Sequence, residues 1–184
     1  MFLAIDIGNT NVTIGAFEGN SIRSTWRLET DMHKMPDEYA AVIITLLKFK
    51  QIDITDVTEV ALCSTVAPLI PTFVDLFNDY FHINPLVVGV GVKTGVKIRM
   101  DNPREVGPDR IVNTVAGFKL YGGPTIVVDL GTATTFDTIS KEGDFIGGAI
   151  APGPMTAAEA LFSRTAALPR IQLVHPQKSI GTNT

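Results

Sequence analysis

The chain has 184 residues, of which 45% are hydrophobic and 18% charged, so it is not intrinsically disordered and is long enough for one large or two small α/β domains. Fifteen basic and nineteen acidic side chains give a formal net charge of −4, which argues against a protein that binds duplex nucleic acid by neutralising phosphates. The N-terminus lacks the apolar core of a signal peptide, and the longest apolar stretch, residues 40–47, is too short to span a bilayer, so we expect a cytoplasmic protein without a membrane partner.

The first half of the chain alternates apolar runs with turn residues, a pattern typical of an α/β fold. The first two strands are joined by a polar turn and suggest a hairpin, and the first ends at Asp6. The predicted elements are, in order, strands at 2–5, 12–17 and 21–29, a helix at 37–48 with Asp37 as its N-cap, a strand at 60–64, a helix at 71–81 and a strand at 85–90.

The second half opens on a helix that begins at Gly107-Pro108, carries an apolar stripe and stops at Gly122-Gly123-Pro124. Three strands and a further helix follow, and the rest of the chain has no strong periodicity. These elements are strands at 125–128, 134–139 and 145–150 and a helix from Pro154 to about Phe162.

A short internal repeat places residues 6–11, DIGNTN, over residues 129–134, DLGTAT, at an offset of 129 − 6 = 123. Chance similarity of two strand-turn-strand units is the alternative explanation. The composition suits phosphate binding, because glycine permits close backbone approach, turn amides and side-chain donors can face an anion, and an Asp beside phosphates can hold a cation. Two such copies predict that a nucleotide is held between two halves of the protein. The sequence contains neither a Walker loop nor a Gly-x-Gly-x-x-Gly turn, the two common phosphate-binding motifs.

A third motif, residues 101–110, reads DNPREVGPDR and places Asp109 and Arg110 in the first turn of the predicted helix. An acidic residue there is favoured by the helix dipole alone, and Arg110 could simply be solvated. The functional alternative makes Asp109 a general base on a substrate hydroxyl, with Arg110 and the amides after Gly107 holding the substrate's polar end.

With these motifs in order, the chain resembles the type III pantothenate kinase family, within the acetate and sugar kinase/Hsc70/actin superfamily. The segments that carry the resemblance are DIGNTNVTIGAF at 6–17, DNPREVGPDRIVN at 101–113, DLGTATTFD at 129–137, GGAIAPG at 147–153 and SIGTNT at 179–184. The resemblance implies two ribonuclease H-like, actin-like ATPase subdomains with mixed central sheets flanked by helices, at 1–120 and 121–184. We expect the second to be incomplete, because family members continue past the final Asn-Thr pair.

The resemblance implies ATP-dependent phosphorylation of pantothenate to 4'-phosphopantothenate, the first step of coenzyme A biosynthesis. Asp109 would be the proton acceptor, Asp129 would bind the monovalent cation (K⁺ or NH₄⁺) that the family requires besides Mg²⁺, and a homodimer is expected. The implied ATP contacts are Asp6, Ile7, Gly8, Asn9, Thr10, Asn11, Val12, Thr13 and Thr132, and the implied substrate contacts are Met100, Gly107, Pro108, Asp109, Arg110 and Thr184.

Two positions depart from the family pattern. Position 100 is commonly a tyrosine that contacts substrate, whereas this chain has Met100, and Pro108 replaces a small residue. Two alternative functions remain: another kinase or phosphatase of the superfamily, and an accessory protein of transcription. The negative net charge argues against the transcription protein, which would have to bind DNA. The single cysteine, Cys63, excludes an intramolecular disulfide and is expected to pack in the core.

Overall fold

A computed structural model describes residues 1–89, 91–176 and 178–182. The chain forms two compact units: the first is Met1–Gly95 with Asn102–Val112, and the second is Val96–Asp101 with the chain from Asn113 onward. The sequence-based division at residue 120 stays a prediction.

The first unit contains a five-stranded mixed sheet. Its strands are β1 (Phe2–Ile7), β2 (Asn11–Glu18), β3 (Ser21–Glu29), β4 (Glu59–Ser64) and β5 (Leu86–Val87), in the order β3-β2-β1-β4-β5. The three strands β1 to β3 pair antiparallel, whereas β4 lies parallel to β1 and β5 parallel to β4. The predicted hairpin is therefore confirmed, and it adjoins a parallel strand on its other side.

Two helices cover one face of this sheet, α1 (Pro36–Phe49) and α2 (Leu69–Leu76), the latter continued by a π-helical turn at Phe77–Phe81. Alternate residues of the central strand β1, Leu3, Ile5 and Ile7, are buried in one apolar cluster with residues of both helices. The rings of Tyr39 and Phe73 lie 4.8 Å apart between their centroids. Because side chains alternate along a strand, Asp6 lies on the opposite face.

Two details of the predicted elements of the first unit were wrong. Helix α1 begins at Pro36 and its N-cap is Met35, not Asp37. Proline suits the first helical position because it lacks the N–H that would need a partner, and the N–H of Met35 donates to the Glu38 carboxylate at 2.8 Å. Of the strand expected at 85–90, only Leu86–Val87 forms a strand among the described residues, the N–H of Val92 donates to the Gly89 carbonyl instead of to a neighbouring strand, and position 90 lies outside the described residues.

The second unit is built on an antiparallel sheet of β6 (Thr125–Leu130), β7 (Ala133–Ile139) and β8 (Phe145–Pro152), in that order. Helix α3 (Pro108–Tyr121), which starts in the first unit, precedes the sheet, and α4 (Pro154–Arg164) follows it. An isolated parallel bridge between Ile98 and Phe145 adds the segment before α3 to β8. All elements predicted for this half are confirmed, within a few residues at their ends.

Helix α3 packs closely on one face of this sheet through a glycine. A Cβ atom at Gly117 would lie 2.6 Å from the Val127 Cγ2 atom and 3.1 Å from the Ile139 Cδ1 atom. Ile126, Val128 and Leu130, which point to the other face by strand alternation, are exposed. The predicted α/β fold class is confirmed by this combination of sheets and helices.

Candidate active site

A short loop, residues 8–10, connects β1 to β2 immediately after Asp6 and Ile7. The loop closes on itself, because the N–H of Gly8 donates to the Asn11 carbonyl at 3.0 Å. A cavity of about 260 Å³ borders the loop at Asn9. The first predicted phosphate-binding segment is thus a tight hairpin turn with open space beside it.

Residues distant in sequence hold the carbonyl groups of this turn. The Thr30 hydroxyl donates to the Gly8 carbonyl at 2.7 Å, and the Thr30 N–H donates to the Thr10 carbonyl at 3.1 Å. The N–H and hydroxyl of Thr65 both donate to the Ile7 carbonyl, at 3.0 and 3.3 Å. Several carbonyl oxygens, which would repel an anion, are therefore engaged by the protein itself.

Asp6 belongs to a row of side chains on the sheet face opposite α1 and α2. In the pairing of the strands, Asp6 lies next to Thr13 of β2 on one side and next to Cys63 of β4 on the other. Paired residues of neighbouring strands project to the same face. The aspartate is consequently flanked by a hydroxyl and a thiol.

Cys63 is buried, as expected of a core cysteine. Its thiol also lies close enough to two of the predicted site residues for their charges to affect its pKa. Burial raises the pKa of its thiol to about 12, and the negative charges of Asp6 and Asp109 contribute to the increase. Asp6, at the end of β1, and Asp109, in the first turn of α3, therefore both lie close enough to Cys63 to raise the pKa of its thiol.

We expect the Cys63 thiol to be nearly inert in the folded protein. At pH 8 a pKa near 12 leaves about 10⁻⁴ of the thiol ionised, against ~10% for a pKa of 9, and the thiolate is the reactive form. Alkylation by iodoacetamide, followed by intact mass, should be roughly 10³-fold slower in buffer than in urea. A Cys63→Ser variant supplies the unlabelled control, and equal rates in both solvents would contradict this description of the site.

The predicted substrate segment forms the start of α3. The Gly107 carbonyl accepts from the N–H groups of Arg110 and Ile111, at 3.1 and 3.3 Å. A side chain at position 107 would collide with the Asp109 carboxylate, so glycine leaves room for that group. Gly107 to Arg110 are all half-buried, and Asp109 lies in the first turn of the helix, at the positive end of the helix dipole.

The second predicted phosphate-binding loop is residues 131–132, between β6 and β7. The N–H of Gly131 donates to the Ala133 carbonyl at 2.9 Å. The Thr132 carbonyl accepts from the N–H of Gly153 at 3.0 Å and from the Thr156 hydroxyl at 2.8 Å. In this loop too, residues from another part of the chain engage a carbonyl group, that of Thr132.

The two loops match as strand-turn-strand units, but the second is one residue shorter. Asp6 pairs with Thr13 in the first hairpin, whereas Asp129 pairs with Thr135 in the second. The sequence offset of 123 would have placed position 136 opposite Asp129. An ungapped comparison therefore finds the two aspartates and glycines but misaligns the strands that follow them.

The other predicted site residues of the second unit occupy separate positions. Asp129 is exposed and its Oδ2 atom accepts from the Asn113 side-chain amide at 3.4 Å. Met100 is partly exposed, and its Sδ atom would lie 3.8 Å from a Cβ atom at Gly147. Thr184 lies outside the described residues.

Within the described ranges, no three His, Cys, Asp or Glu side chains cluster as a metal-binding group. Single carboxylates at Asp6 and Asp129 still suit Mg²⁺ or a monovalent cation, because Mg²⁺ in phosphotransferases takes one or two carboxylates together with substrate phosphates and water. In the same part of the chain, no helix is both long and apolar enough to cross a membrane.

Solved structures with the same fold include proteins of low sequence identity. One, described as a Baf family transcriptional activator from Campylobacter jejuni, has a TM-score of 0.51 at 22% identity, covering 96% of this chain and 69% of that chain. The activator of 2-hydroxyisocaproyl-CoA dehydratase from Clostridium difficile, with bound ADPNP, has a TM-score of 0.52 at 9% identity, covering 89% and 51%. These likenesses concern the fold alone.

Relatives found by sequence are far more similar to this chain than these solved structures are, and they identify its family. A relative from Dehalococcoides mccartyi (strain CBDB1), named type III pantothenate kinase, is 53% identical over 182 residues, which cover 99% of this chain and 69% of that protein. A relative of the same name from Moorella thermoacetica is 50% identical over 184 residues, covering 100% and 72%. The family model for type III pantothenate kinase matches residues 2–184. The chain therefore belongs to the type III pantothenate kinase family, a family of kinases.

Proposed function

We propose that this protein transfers the γ-phosphoryl group of ATP to the primary hydroxyl of pantothenate, giving 4'-phosphopantothenate at the start of coenzyme A biosynthesis. The observation that carries the proposal is the match of the chain to the family over residues 2–184. The geometry of the first unit supports it, because the carboxylates of Asp6, at the end of β1, and Asp109, at the start of α3, both lie near Cys63.

The first loop is assigned to the phosphates of ATP. The proposed contacts in the first unit run from Asp6 through Ile7, Gly8, Asn9, Thr10, Asn11, Val12 and Thr13, and Thr132 is the proposed contact in the second. The engaged carbonyl groups of Ile7, Gly8 and Thr10 support this role. Phosphoryl transfer depends mainly on positioning and on stabilising negative charge, which such loops provide.

Asp109 is assigned the role of general base. Its carboxylate would accept the proton of the pantothenate hydroxyl as that oxygen attacks the γ-phosphorus, and ADP would leave on the opposite side. Its position in the first turn of α3 places the side chain at the positive end of the helix dipole. The half-buried environment of residues 107–110 limits competing water.

The acceptor is assigned to the segment around Asp109. Arg110 would bind the polar or anionic end of pantothenate, with Gly107 and Pro108 providing close backbone approach. Met100 would contact substrate without the hydroxyl that a tyrosine brings. Thr184 is carried over from the family motif only.

The proposed cations are Mg²⁺ with ATP and a monovalent cation, K⁺ or NH₄⁺, at Asp129. Mg²⁺, when bound, neutralises charge on the phosphate oxygens during transfer. Asp6 supplies a carboxylate next to the first loop, and Asp129 supplies one that Asn113 orients in the second unit. A homodimer and a cytoplasmic location belong to the proposal as family expectations, with neither nucleic acid nor membrane as a partner.

A coupled assay of ADP release tests this proposal. With ATP, Mg²⁺ and K⁺, we expect turnover that depends on pantothenate, and we expect acetate, a hexose or polyphosphate to give no more than background. Replacing K⁺ with Na⁺ should lower the rate if Asp129 binds the monovalent cation. Folded protein that releases ADP with another acceptor but not with pantothenate would contradict the proposed substrate.

A further inference from the structure

We propose that Thr30 is a positioning residue for the nucleotide, because it turns the backbone of the first loop so that amide groups rather than carbonyl groups face the phosphates of ATP. The inference rests on the proposed function of that loop. Thr30 follows the last residue of β3 and is 22 residues from Gly8 in sequence.

Thr30 contacts the turn at two points. Its hydroxyl donates to the Gly8 carbonyl at 2.7 Å, and its N–H donates to the Thr10 carbonyl at 3.1 Å. The side chain is half-buried. Two bonds from one residue to these carbonyl groups fix the orientation of the Gly8–Asn9 and Thr10–Asn11 peptide planes.

The orientation of a carbonyl determines that of the following amide. In a trans peptide the C=O and the next N–H point in opposite directions. With the Gly8 carbonyl directed at Thr30, the N–H of Asn9 is directed away from Thr30, where it can donate to an anion. If the peptide rotated, a carbonyl oxygen would replace that donor and would repel the phosphate oxygens.

The second loop has a comparable arrangement, which supports a functional role. There the Thr156 hydroxyl donates to the Thr132 carbonyl at 2.8 Å, and the N–H of Gly153 donates to the same oxygen. A threonine hydroxyl thus binds a loop carbonyl in both loops, although Thr30 follows a strand and Thr156 lies in the first turn of a helix. Different elements achieve the same result at the two predicted phosphate loops.

The Thr30→Val variant tests the inference, because valine removes the hydroxyl, keeps the branched shape and leaves the backbone N–H in place. We expect the Kd for an ATP analogue with Mg²⁺, measured by calorimetry, to rise about tenfold, a factor typical of losing one hydrogen bond to a carbonyl. The KM for ATP should rise similarly, while the KM for pantothenate changes less than twofold. Thr30→Ser should restore both values to within about threefold of those of the unmodified protein.

The matched control is Thr45→Val, which removes a hydroxyl that donates only to the Ala41 carbonyl within α1. If Thr30→Val lowers the melting temperature by more than a few degrees, Thr30→Ala is measured instead, since it removes the hydroxyl without a methyl group against the carbonyl. A Kd within twofold of the unmodified value, equal losses for both substrates, or no rescue by serine would overturn the inference. If the unmodified protein binds nucleotide without phosphorylating pantothenate, the proposed function fails and the Kd ratio alone decides this inference.

Discussion

Replacing Asp109 with asparagine is expected to lower kcat by a factor of about 10² to 10⁴, equivalent to roughly 3 to 5 kcal/mol of transition-state stabilisation. Asparagine keeps the shape of the side chain but cannot accept the hydroxyl proton. Steady-state kinetics with pantothenate and ATP measure the effect. The Kd for an ATP analogue and the melting temperature should change little, because the base role does not involve nucleotide binding.

The matched control for Asp109→Asn is Asp101→Asn, an exposed aspartate shortly before the same helix to which no catalytic role is assigned. It should retain kcat within about twofold, because exposed substitutions away from the chemistry cost little. A variant at position 109 that keeps near-normal kcat would contradict the base assignment. Loss of kcat together with loss of the folded state would point instead to a structural role for the carboxylate.

Replacing Gly153 with alanine is expected to have the second large effect. A Cβ atom at this position would overlap the Gly131 carbonyl and would come within 2.6 Å of the Thr132 carbonyl. The second loop would have to move, and the bond from the Gly153 N–H to the Thr132 carbonyl would be strained or lost. We expect a loss of about 1 to 3 kcal/mol in the free energy of unfolding, the usual cost of overpacking.

The same substitution should impair turnover beyond its effect on stability. Misplacing a substrate-positioning group by about 1 Å can lower the rate by a factor of ~10², and the Thr132 loop is the proposed second contact of ATP. Urea unfolding and kcat/KM for ATP measure the two effects. The control is Gly89→Ala, where a Cβ atom meets nothing within 4 Å. Unchanged stability and kcat/KM in Gly153→Ala would show that the second loop tolerates the displacement.

Local patterns in the sequence predicted most elements and both loops. The apolar runs ending at Asp6 and Asp129, each followed by glycine and polar residues, are short-range signals of a strand and a turn. The Gly107-Pro108 pair likewise predicted the start of α3, because proline has a fixed φ and no N–H and therefore suits the first helical position. These features depend only on neighbouring residues, so no knowledge of the sheet order was needed.

The contacts that orient the loops could not be predicted in the same way. Thr30 reaches Gly8 only because β3 pairs with β2, and Thr65 reaches Ile7 only because β4 lies parallel to β1. Sequence spacing of 22 and 58 residues carries no signal for either bond. The position of Cys63 beside Asp6 has the same origin, since it follows from the register of β4 against β1.

The difference in length between the two loops also could not be predicted from the sequence. The repeat aligns the aspartates and glycines, and only the strand register reveals that the second turn lacks one residue. The N-cap of α1 was missed for a different reason. Asp37 is a good capping residue by type, but Pro36 occupies the first helical position, so the N-cap is Met35, two residues before Asp37.

Mass spectrometry of the reaction product tests whether this protein phosphorylates pantothenate with Asp109 as the base. The protein is incubated with pantothenate, ATP, Mg²⁺ and K⁺, and Asp109→Asn is treated identically. We expect a new species with the mass of pantothenate plus one phosphoryl group, formed in proportion to ADP and strongly reduced with the variant. ADP formation without a phosphorylated pantothenate, by protein that is folded and binds ATP, would contradict it.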